Sequence, residues 1–354
     1  MKKASAKTIV PAVLLIVVTA AFAVVTAYAL SLKNRNEVVI AAAAPQSPSP
    51  EIAHPLRTAV PETPSPAPTL APIPADPADD PVAARLLSAP FWSEGGISFE
   101  NGYKSPTLSV TVTTYVDSKT FSKALVYYVA DIYVSDVTQI RTAAANGTFS
   151  KGGSGKMQAV SKRENALVAI SGDYYSVQKK SIVIRNGEVY RKSIGSADIC
   201  LLLRTGEMET IRGSETTLNA VLERDPWQAW QFGPSLLTEG GRARTSFPKT
   251  SIAPGNPRSC IGYYEPGHYC FVLVDGRQKA SRGLTLKELA VLMESLGCKK
   301  AYNLDGGASA HMYWQNRILN HPSGGGRKIS DIIYVAKEDY PSARFYYGKA
   351  GSAE

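Results

Sequence analysis

Cysteine and histidine are scarce in this sequence of 354 residues, which contains four of each. The sequence has no Cys-x-x-Cys pair and no His-x-x-x-His pair. Such pairs are the usual starting point of a zinc site. We therefore expect no metal site and no cofactor, although carboxylates next to glycines leave a divalent cation open as an alternative.

Motifs of nucleic-acid-binding proteins are also absent, although the net charge is +9. The basic residues are scattered along the chain instead of forming one patch or stripe, so we expect no nucleic-acid partner. A basic surface outside a cell attracts an anionic or phosphate-bearing glycan, and that is the partner we expect.

The four cysteines, Cys200, Cys260, Cys270 and Cys298, leave the disulfide state open. Cys260 and Cys270 flank the turn sequence Glu265-Pro266-Gly267-His268. A two-residue turn at Pro266-Gly267 would place the two sulfur atoms on opposite faces of the hairpin, because side chains alternate along a strand. Free, buried cysteines are therefore at least as well supported as bridges.

The amino terminus carries an uncharged apolar run, from Thr8 to Leu32, behind three lysines. A run of this length can cross a bilayer as a helix. Because the lysines precede it, we expect the amino terminus in the cytoplasm and the rest outside. The alternative is a cleaved signal peptide with Ala27-Tyr28-Ala29 as its cleavage signal. We predict a single-pass membrane anchor over residues 1–32 and an extracellular carboxy-terminal domain.

Composition divides the remaining chain into three parts. Residues 33–85 are rich in proline and alanine, which predicts a disordered linker that forms no core. Residues 86–340 have the composition of a globular domain, and residues 341–354 form a carboxy-terminal tail.

The globular part contains many strand-like segments and few helical ones. Leu108 to Thr113 alternates apolar and polar residues, Asn186-Gly187 is a hairpin signal, and Leu284 to Gly297 has helical periodicity. There is no regular alternation of strands and helices. The pattern predicts an α+β fold with a mixed, mainly antiparallel sheet and a few packed helices.

Three predicted strands end in an aspartate beside a glycine, at Asp173, Asp275 and Asp305. Arg258 and Arg277 lie near two of them in sequence. Carboxylates can move a proton or stabilise a positive anomeric carbon, and an arginine can hold a phosphate with two hydrogen bonds. These residue types suit hydrolysis of a sugar phosphodiester. The same residues also build ordinary turns, which is the alternative for each one alone.

Four motifs that follow one another from Asn256 to Met312 resemble the phosphodiester glycosidase family. They read Asn-Pro-Arg-Ser-Cys-Ile-Gly, Val-Leu-Val-Asp-Gly-Arg, Gly-Leu-Thr-Leu-Lys-Glu-Leu-Ala and Asn-Leu-Asp-Gly-Gly-Ala-Ser-Ala-His-Met. Upstream, Leu-Val-Ala-Ile-Ser-Gly-Asp-Tyr-Tyr resembles a further family element, with Ser171 where the family usually has asparagine. The resemblance extends roughly from Val126 to Val335.

The resemblance implies a hydrolase of glycosyl phosphodiesters and a set of site residues. Asp305 or Asp275 would act as the acid/base, and Arg258 would hold the phosphate. The substrate-binding residues that it implies are Asn303, Gly306, Gly307, Ser309, Ser171, Gly172, Asp173 and Arg327. Trp314, which lies soon after the glycine turn, is the best candidate for stacking on a sugar.

We therefore expect an exported, membrane-tethered hydrolase of cell-envelope or exopolysaccharide metabolism. One alternative is a non-catalytic module that binds cell-wall glycan, because Ser171 departs from the family pattern. The other is a transferase that uses the same site to pass a glycosyl or phosphoryl group to an acceptor other than water.

Overall fold

A computed structural model describes residues 90–149, 152–248 and 252–338, and the backbone of residues 344–346. Within these residues the chain forms eighteen strands, β1 to β18, and three α-helices, α1 to α3. None of the helices in this part of the chain is long and apolar enough to cross a membrane. The predicted membrane anchor and the predicted linker lie outside the described residues.

The largest sheet has eight strands in the order β14-β12-β13-β4-β3-β2-β1-β18. All its pairs are antiparallel except β1 with β18, which is parallel. The strands of this sheet are β1 Ile97–Phe99, β2 Gly102–Lys104, β3 Leu108–Asp117, β4 Leu125–Val134, β12 Arg258–Glu265, β13 His268–Val274, β14 Lys300–Asn303 and β18 Arg344–Tyr346. Strand β18 lies within residues 341–354, which the sequence assigned to a carboxy-terminal tail.

Two five-stranded antiparallel sheets complete the domain, in the orders β10-β9-β11-β7-β8 and β16-β15-β6-β17-β5. The first contains β7 Val183–Arg185, β8 Glu188–Arg191, β9 Asp198–Leu203, β10 Met208–Arg212 and β11 Pro226–Trp230. The second contains β5 Arg141–Ala144, β6 Ala166–Ser171, β15 Met312–Trp314, β16 Arg317–Ile318 and β17 Asp331–Ala336. The predicted α+β fold with mainly antiparallel sheets is confirmed.

One apolar core joins all three sheets. Ile132 and Phe271 of the large sheet, Trp230 of the second and Ile170 and Ile333 of the third belong to the same buried cluster. Burying this much apolar surface stabilises the fold and fixes the sheets relative to one another.

The helices cover the outer faces of the sheets. Helix α1, Met157–Arg163, packs on the third sheet, and helix α2, Leu218–Leu222, packs on the second. Helix α3, Leu286–Ser295, packs on the large sheet through Leu289 and Met293. The sequence predicted α3 over Leu284 to Gly297, which is two residues longer at each end. Thr285 and Glu288 form a capping box that starts α3, because each side chain accepts a hydrogen bond from the other residue's backbone N–H.

The β12–β13 hairpin corrects the prediction for the cysteines. A register shift between Tyr263 and Glu265 makes Cys270 pair with Gly262 and Cys260 pair with Val272. Because the pairing is shifted by one residue from the predicted one, the side chains of Cys260 and Cys270 point to the same face of the hairpin. Both lie in the same buried cluster. All four cysteines are free, and Cys270 Sγ lies 3.7 Å from Cys298 Sγ.

Candidate functional site

Strand ends from the large sheet and the third sheet meet at one edge of the domain. Arg258 begins β12, and Asn303 ends β14 next to it. Beyond β14, the Leu304 N–H donates to Ser259 O at 2.8 Å and the Asp305 N–H donates to Gly172 O at 2.9 Å. Because Gly172 follows β6, these two bonds fix the Asp305 turn to both sheets.

The turn forms the wall of a cleft of about 340 Å³. This volume is near the lower end of the range of ligand cavities, roughly 300 to 1,000 Å³. The cleft brings together six residues that the sequence predicted for the site, namely Arg258, Asn303, Asp305, Gly306, Gly307 and Arg327. It also contains Phe232, Ile252, Asn256, Arg277, Leu304 and Ala308.

Arg327 donates hydrogen bonds to both carboxylate oxygens of Asp305. Arg327 Nη2 donates to Asp305 Oδ1 at 3.1 Å and to Oδ2 at 2.9 Å, while Arg327 Nε donates to Ser309 Oγ at 2.5 Å. The Arg327 guanidinium stacks on the ring of Tyr174 at 4.9 Å. Ser309 is buried, so its contribution is to orient Asp305 and Arg327 and not to line the cleft.

Asp305 is only 5% exposed. Burial raises its pKa above the ordinary value, the Ser309 hydroxyl and Arg327 act in the opposite direction, and the charge of Asp173 adds to the rise. The net result is a raised pKa. A carboxylate with a raised pKa is a stronger base, which suits a group that takes a proton from water.

Arg258 is the most buried cation of the cleft, at 2% exposure. Its Nε donates to Leu284 O at 2.8 Å and its Nη2 donates to Pro254 O at 2.6 Å. Within the described residues it forms no ion pair with a carboxylate. Burial lowers its pKa to about 10, so it remains a cation at neutral pH. A buried cation held only by carbonyl groups is well suited to an anionic ligand.

Arg277 is a third arginine of the cleft, and it was not among the site residues that the family resemblance implied. Its Nε and Nη2 donate to Asn256 Oδ1 at 3.2 and 2.7 Å, and its backbone has a positive φ of 60°. Its place directly after Asp275-Gly276 was the available signal. Three arginines and one carboxylate thus give the cleft an excess of positive charge.

Asn303 provides an unused acceptor. Its Nδ2 donates to Gly233 O at 2.7 Å, and this bond fixes the orientation of the amide. Its Oδ1 is buried and has no hydrogen-bond partner among the described residues. Such a group is costly to bury unless a ligand completes it, so Asn303 is suited to accept a hydrogen bond from a sugar hydroxyl.

The two glycines of the turn have different roles. The Gly307 N–H donates to Pro257 O at 2.9 Å, whereas the Gly306 N–H has no protein acceptor within the described residues. A side chain at Gly306 would lie 2.6 Å from Pro257 O, so only glycine fits there. The Gly306 amide is therefore one backbone donor of this turn that is available for an oxyanion.

Ser171, Gly172 and Asp173 support the cleft from beneath and do not line it. Ser171 Oγ donates to Ser309 O at 2.5 Å. Asp173 Oδ2 accepts from Arg185 Nη2 at 2.7 Å, and Arg185 Nε donates to Asp331 Oδ2 at 3.2 Å. The three charged side chains of this triad are fully buried. Burial and the charge of Asp173 raise the pKa of Asp331 well above its ordinary value.

Asp275 lies outside the lining of the cleft. Its Oδ2 accepts from the Tyr128 hydroxyl at 3.1 Å and the His321 N–H at 3.2 Å, and its Oδ1 accepts from Asn320 Nδ2 at 3.0 Å. These bonds use both oxygens of the carboxylate. The geometry therefore gives Asp275 the role of joining β13 to the loop at residues 320–321, and its catalytic role stays a prediction.

Trp314 does not stack on a ligand. It is 3% exposed and belongs to the apolar core on β15, which corrects the expectation from sequence. The aromatic residue in the cleft is Phe232, which is half-buried. No sequence motif marked Phe232, because it lies more than seventy residues before Asp305.

A sheet-dominated domain with arginines around one carboxylate is suited to an anionic ligand. Residues 164–336 match the sequence model of the family described as phosphodiester glycosidase, which confirms the resemblance for this segment. A relative from Bacillus subtilis (strain 168), the SPbeta prophage-derived uncharacterized protein YomE, is 26% identical over 203 residues. That match includes 54% of this chain and 31% of the relative, so the chain spans about a third of its length.

Two solved structures share the fold. The catalytic domain of zebrafish N-acetylglucosamine-1-phosphodiester alpha-N-acetylglucosaminidase, auto-inhibited by its pro-peptide, superposes with a TM-score of 0.54 at 19% identity, covering 69% of this chain and 87% of that chain. A hypothetical protein from Synechocystis superposes with a TM-score of 0.50 at 13% identity, covering 65% and 62%. At these identities the comparisons show the fold alone.

Proposed function

We propose that this domain hydrolyses a glycosyl phosphodiester by breaking the bond between the anomeric carbon and the phosphate oxygen. The observation that carries the proposal is the presence of three arginines and one buried carboxylate, Asp305, in a single cleft. The family match over residues 164–336 and the fold shared with the zebrafish glycosidase support the same reaction class.

The arginines supply the phosphate site. Arg258 has only carbonyl partners, and Arg277 has only the amide oxygen of Asn256, within the described residues. A phosphodiester carries one negative charge, and its leaving group gains a second as the bond to the sugar breaks. The arginines stabilise this developing charge most strongly, which lowers the barrier.

Asp305 supplies the base. In our mechanism a water molecule attacks the anomeric carbon, its proton passes to the Asp305 carboxylate, and the electron pair of the broken bond leaves with the phosphate. A phosphate monoester is a good leaving group at neutral pH, so a second carboxyl group as acid is not required. This fits the cleft, whose described lining contains one carboxylate.

The free acceptor of Asn303 and the Gly306 amide orient the substrate. Asn303 Oδ1 accepts from a sugar hydroxyl, and the Gly306 N–H donates to an oxygen of the phosphate. Both groups belong to the same turn as Asp305, so the sugar, the phosphate and the base are positioned together.

The amino-terminal sequence supports a proposal for the place of this activity. We propose that the amino-terminal anchor holds the domain outside the membrane, where it acts on phosphate-bearing glycans of the cell envelope or on exopolysaccharide. The charge of +9 favours such anionic polymers. The departure at Ser171 does not weaken this proposal, because Ser171 is buried beneath the cleft.

The decisive experiment measures the release of free sugar from methyl N-acetylglucosamine-1-phosphate by the full-length chain. Asp305→Asn and Arg258→Ala should each lower kcat/KM by about 100-fold or more, the usual size of such losses. The matched controls are Asp225→Asn and Arg204→Ala, an exposed pair far along the chain, and they should retain activity.

Two other outcomes separate the rival functions. No turnover together with saturable binding of anionic glycan would replace the hydrolase with a non-catalytic binding module. Turnover only when a glycan acceptor is added would identify a transferase.

A further inference from the structure

Two buried cysteines meet beneath helix α3. Cys270 lies on strand β13, and Cys298 lies in the short connection between α3 and β14. Their sulfur atoms are 3.7 Å apart, although the two residues are 28 positions apart in the sequence. Both side chains belong to the buried cluster on the face of the large sheet that α3 covers. Long-range folding has therefore brought two thiols into contact in a place that the proposed reaction does not use.

A glycine on the strand between them keeps this contact open. Strand β12 lies between β13 and β14, and its Gly262 pairs with Cys270 on one side and with Ala301 on the other. A Cβ atom at Gly262 would lie 2.6 Å from Cys270 Sγ and 2.7 Å from Cys298 Sγ. Cβ atoms in proteins essentially never come this close to another atom, so any other residue would displace the sulfurs. Glycine at this position leaves the space in which the two sulfurs face each other.

The other two cysteines are placed differently. Cys200 lies on β9, in the core that joins the three sheets, and not in the cluster under α3. Cys260 shares the cluster of Cys270 and Cys298, but its neighbour across the hairpin is Val272. The geometry therefore favours one bridge among the possible pairings and leaves Cys200 and Cys260 as thiols.

The folded protein protects the pair from reagents in solution. Cys270 is fully buried, and Cys298 is 3% exposed. The hydrogen bond with Cys298 and burial raise the pKa of Cys270 well above its ordinary value. A thiol that is neither exposed nor ionised exchanges slowly with an outside disulfide, because the thiolate is the attacking species. A bridge between the two residues must therefore form before α3 packs over the sheet.

We propose that Cys270 and Cys298 are oxidised to a disulfide while the chain folds in an oxidising compartment. The oxidant is a second disulfide, either of a small thiol such as glutathione or of a thiol–disulfide oxidoreductase. One cysteine thiolate attacks the oxidant and releases one of its thiols, and the other then attacks the mixed disulfide and releases the second thiol. The pair loses two protons and two electrons, and the oxidant is reduced to two thiols. This inference is independent of the reaction that the cleft performs.

The bridge closes a loop that carries part of the cleft. The loop from Cys270 to Cys298 contains Arg277, and it also contains Leu284, whose carbonyl accepts from Arg258 Nε at 2.8 Å. Closing a loop of about 30 residues lowers the entropy of the unfolded chain and so stabilises the folded one. The bridge therefore secures the segment that positions two arginines of the cleft.

The test refolds the reduced, urea-unfolded full-length chain in detergent, with and without a mixture of oxidised and reduced glutathione as the probe. Remaining thiols are alkylated, the chain is digested with chymotrypsin, which cuts at the tyrosines between Cys260 and Cys270, and mass spectrometry locates the bridge. With glutathione we expect a Cys270 peptide joined to a Cys298 peptide, and alkylated Cys200 and Cys260. The oxidised chain should melt about 5 to 10 °C higher than the reduced chain.

Cys298→Ala and Cys260→Ala are matched variants, because each replaces a buried cysteine of the same cluster. Cys260→Ala should still form the bridge and keep the rise in melting temperature on oxidation, whereas Cys298→Ala should lose both. Each variant is compared in its oxidised and reduced forms, so the effect of the substitution itself on stability cancels. The peptide map uses the unmodified chain and does not depend on whether a variant folds.

Four alkylated cysteines after refolding with glutathione, or a bridge that joins any other pair, would overturn the inference. A second arm adds the same glutathione mixture to the reduced chain after it has folded. The bridge should form at least about tenfold more slowly there than during refolding, because both thiols are then covered. Equal rates in the two arms would reject the proposal that the bridge forms before α3 packs.

Discussion

Arg327 holds both carboxylate oxygens of Asp305, at 3.1 and 2.9 Å from a single nitrogen, Nη2. The other contact of the guanidinium, from Nε to Ser309 Oγ, fixes the plane of the pair. Hydrogen bonds from a charged donor to a carboxylate are roughly twice as strong as neutral ones. This pair holds the carboxylate in one orientation within a cleft where burial alone would favour its neutral form.

The pH dependence of activity should follow from this environment. Ser309→Ala removes a hydrogen bond that lowers the pKa of Asp305, so the pKa rises further. Because ionised Asp305 is the proposed base, the acidic limb of the kcat/KM profile should move to higher pH. Ser295→Ala, on helix α3, is the control and should leave the limb in place. If the acidic limb of the kcat/KM profile is unchanged in Ser309→Ala, the ionisation of Asp305 does not determine that limb.

Arg277 should contribute to binding and not to folding. Arg277 is exposed, and among the described residues its guanidinium donates hydrogen bonds only to Asn256, so Arg277→Ala should leave the urea midpoint of unfolding unchanged. Loss of one charged hydrogen bond to phosphate should raise KM by about tenfold. Arg277→Lys should recover part of this loss. A normal KM in Arg277→Ala would remove this residue from the phosphate site.

The roles of Asp275 and Asp305 can be distinguished by making the same substitution, aspartate to asparagine, at each residue. Asp275→Asn places an amide nitrogen among donors from Tyr128, Asn320 and His321, so we expect a stability loss of about 1 to 3 kcal/mol. The kcat should fall by less than about tenfold, since the residue acts only through position. A loss of kcat as large as that of Asp305→Asn, with unchanged stability, would support the acid/base role predicted from sequence.

The buried triad of Asp173, Arg185 and Asp331 should dominate the stability of the edge of the domain that carries the cleft. Arg185→Met leaves two buried carboxylates without their cation, which costs about 3 to 5 kcal/mol in the free energy of unfolding. Arg204→Met, which breaks an exposed pair with Asp225, should cost less than about 1 kcal/mol.

The cost of Arg185→Met should also depend on pH. Without the guanidinium the folded-state pKa of Asp331, which burial and the charge of Asp173 already raise, lies further above that of the unfolded chain. A raised folded-state pKa gives stability that is present at low pH and is lost as the pH rises through it. The loss measured by urea unfolding should therefore be larger at pH 8 than at pH 5. A loss that is the same at both values would mean that the carboxylates are not the source.

The sequence by itself determined the local elements and the class of site. The alternation in β3, the hairpin at Asn186-Gly187 and the capping box of α3 depend on neighbouring residues, so each could be predicted from sequence. Six of the residues that the family motifs marked line one cleft, and their functional roles stay predictions.

Tertiary structure alone decided which side chains of these motifs meet. The register shift in the β12–β13 hairpin put Cys260 and Cys270 on one face, and the burial of Trp314 excluded it from the cleft. Asp275 turned toward Asn320 and away from the cleft, whereas Arg277, two residues later, entered it. The physical reason is that the facing of a side chain depends on the long-range register between strands, and beyond the end of a strand on the turn, where Arg277 has a positive φ of 60°.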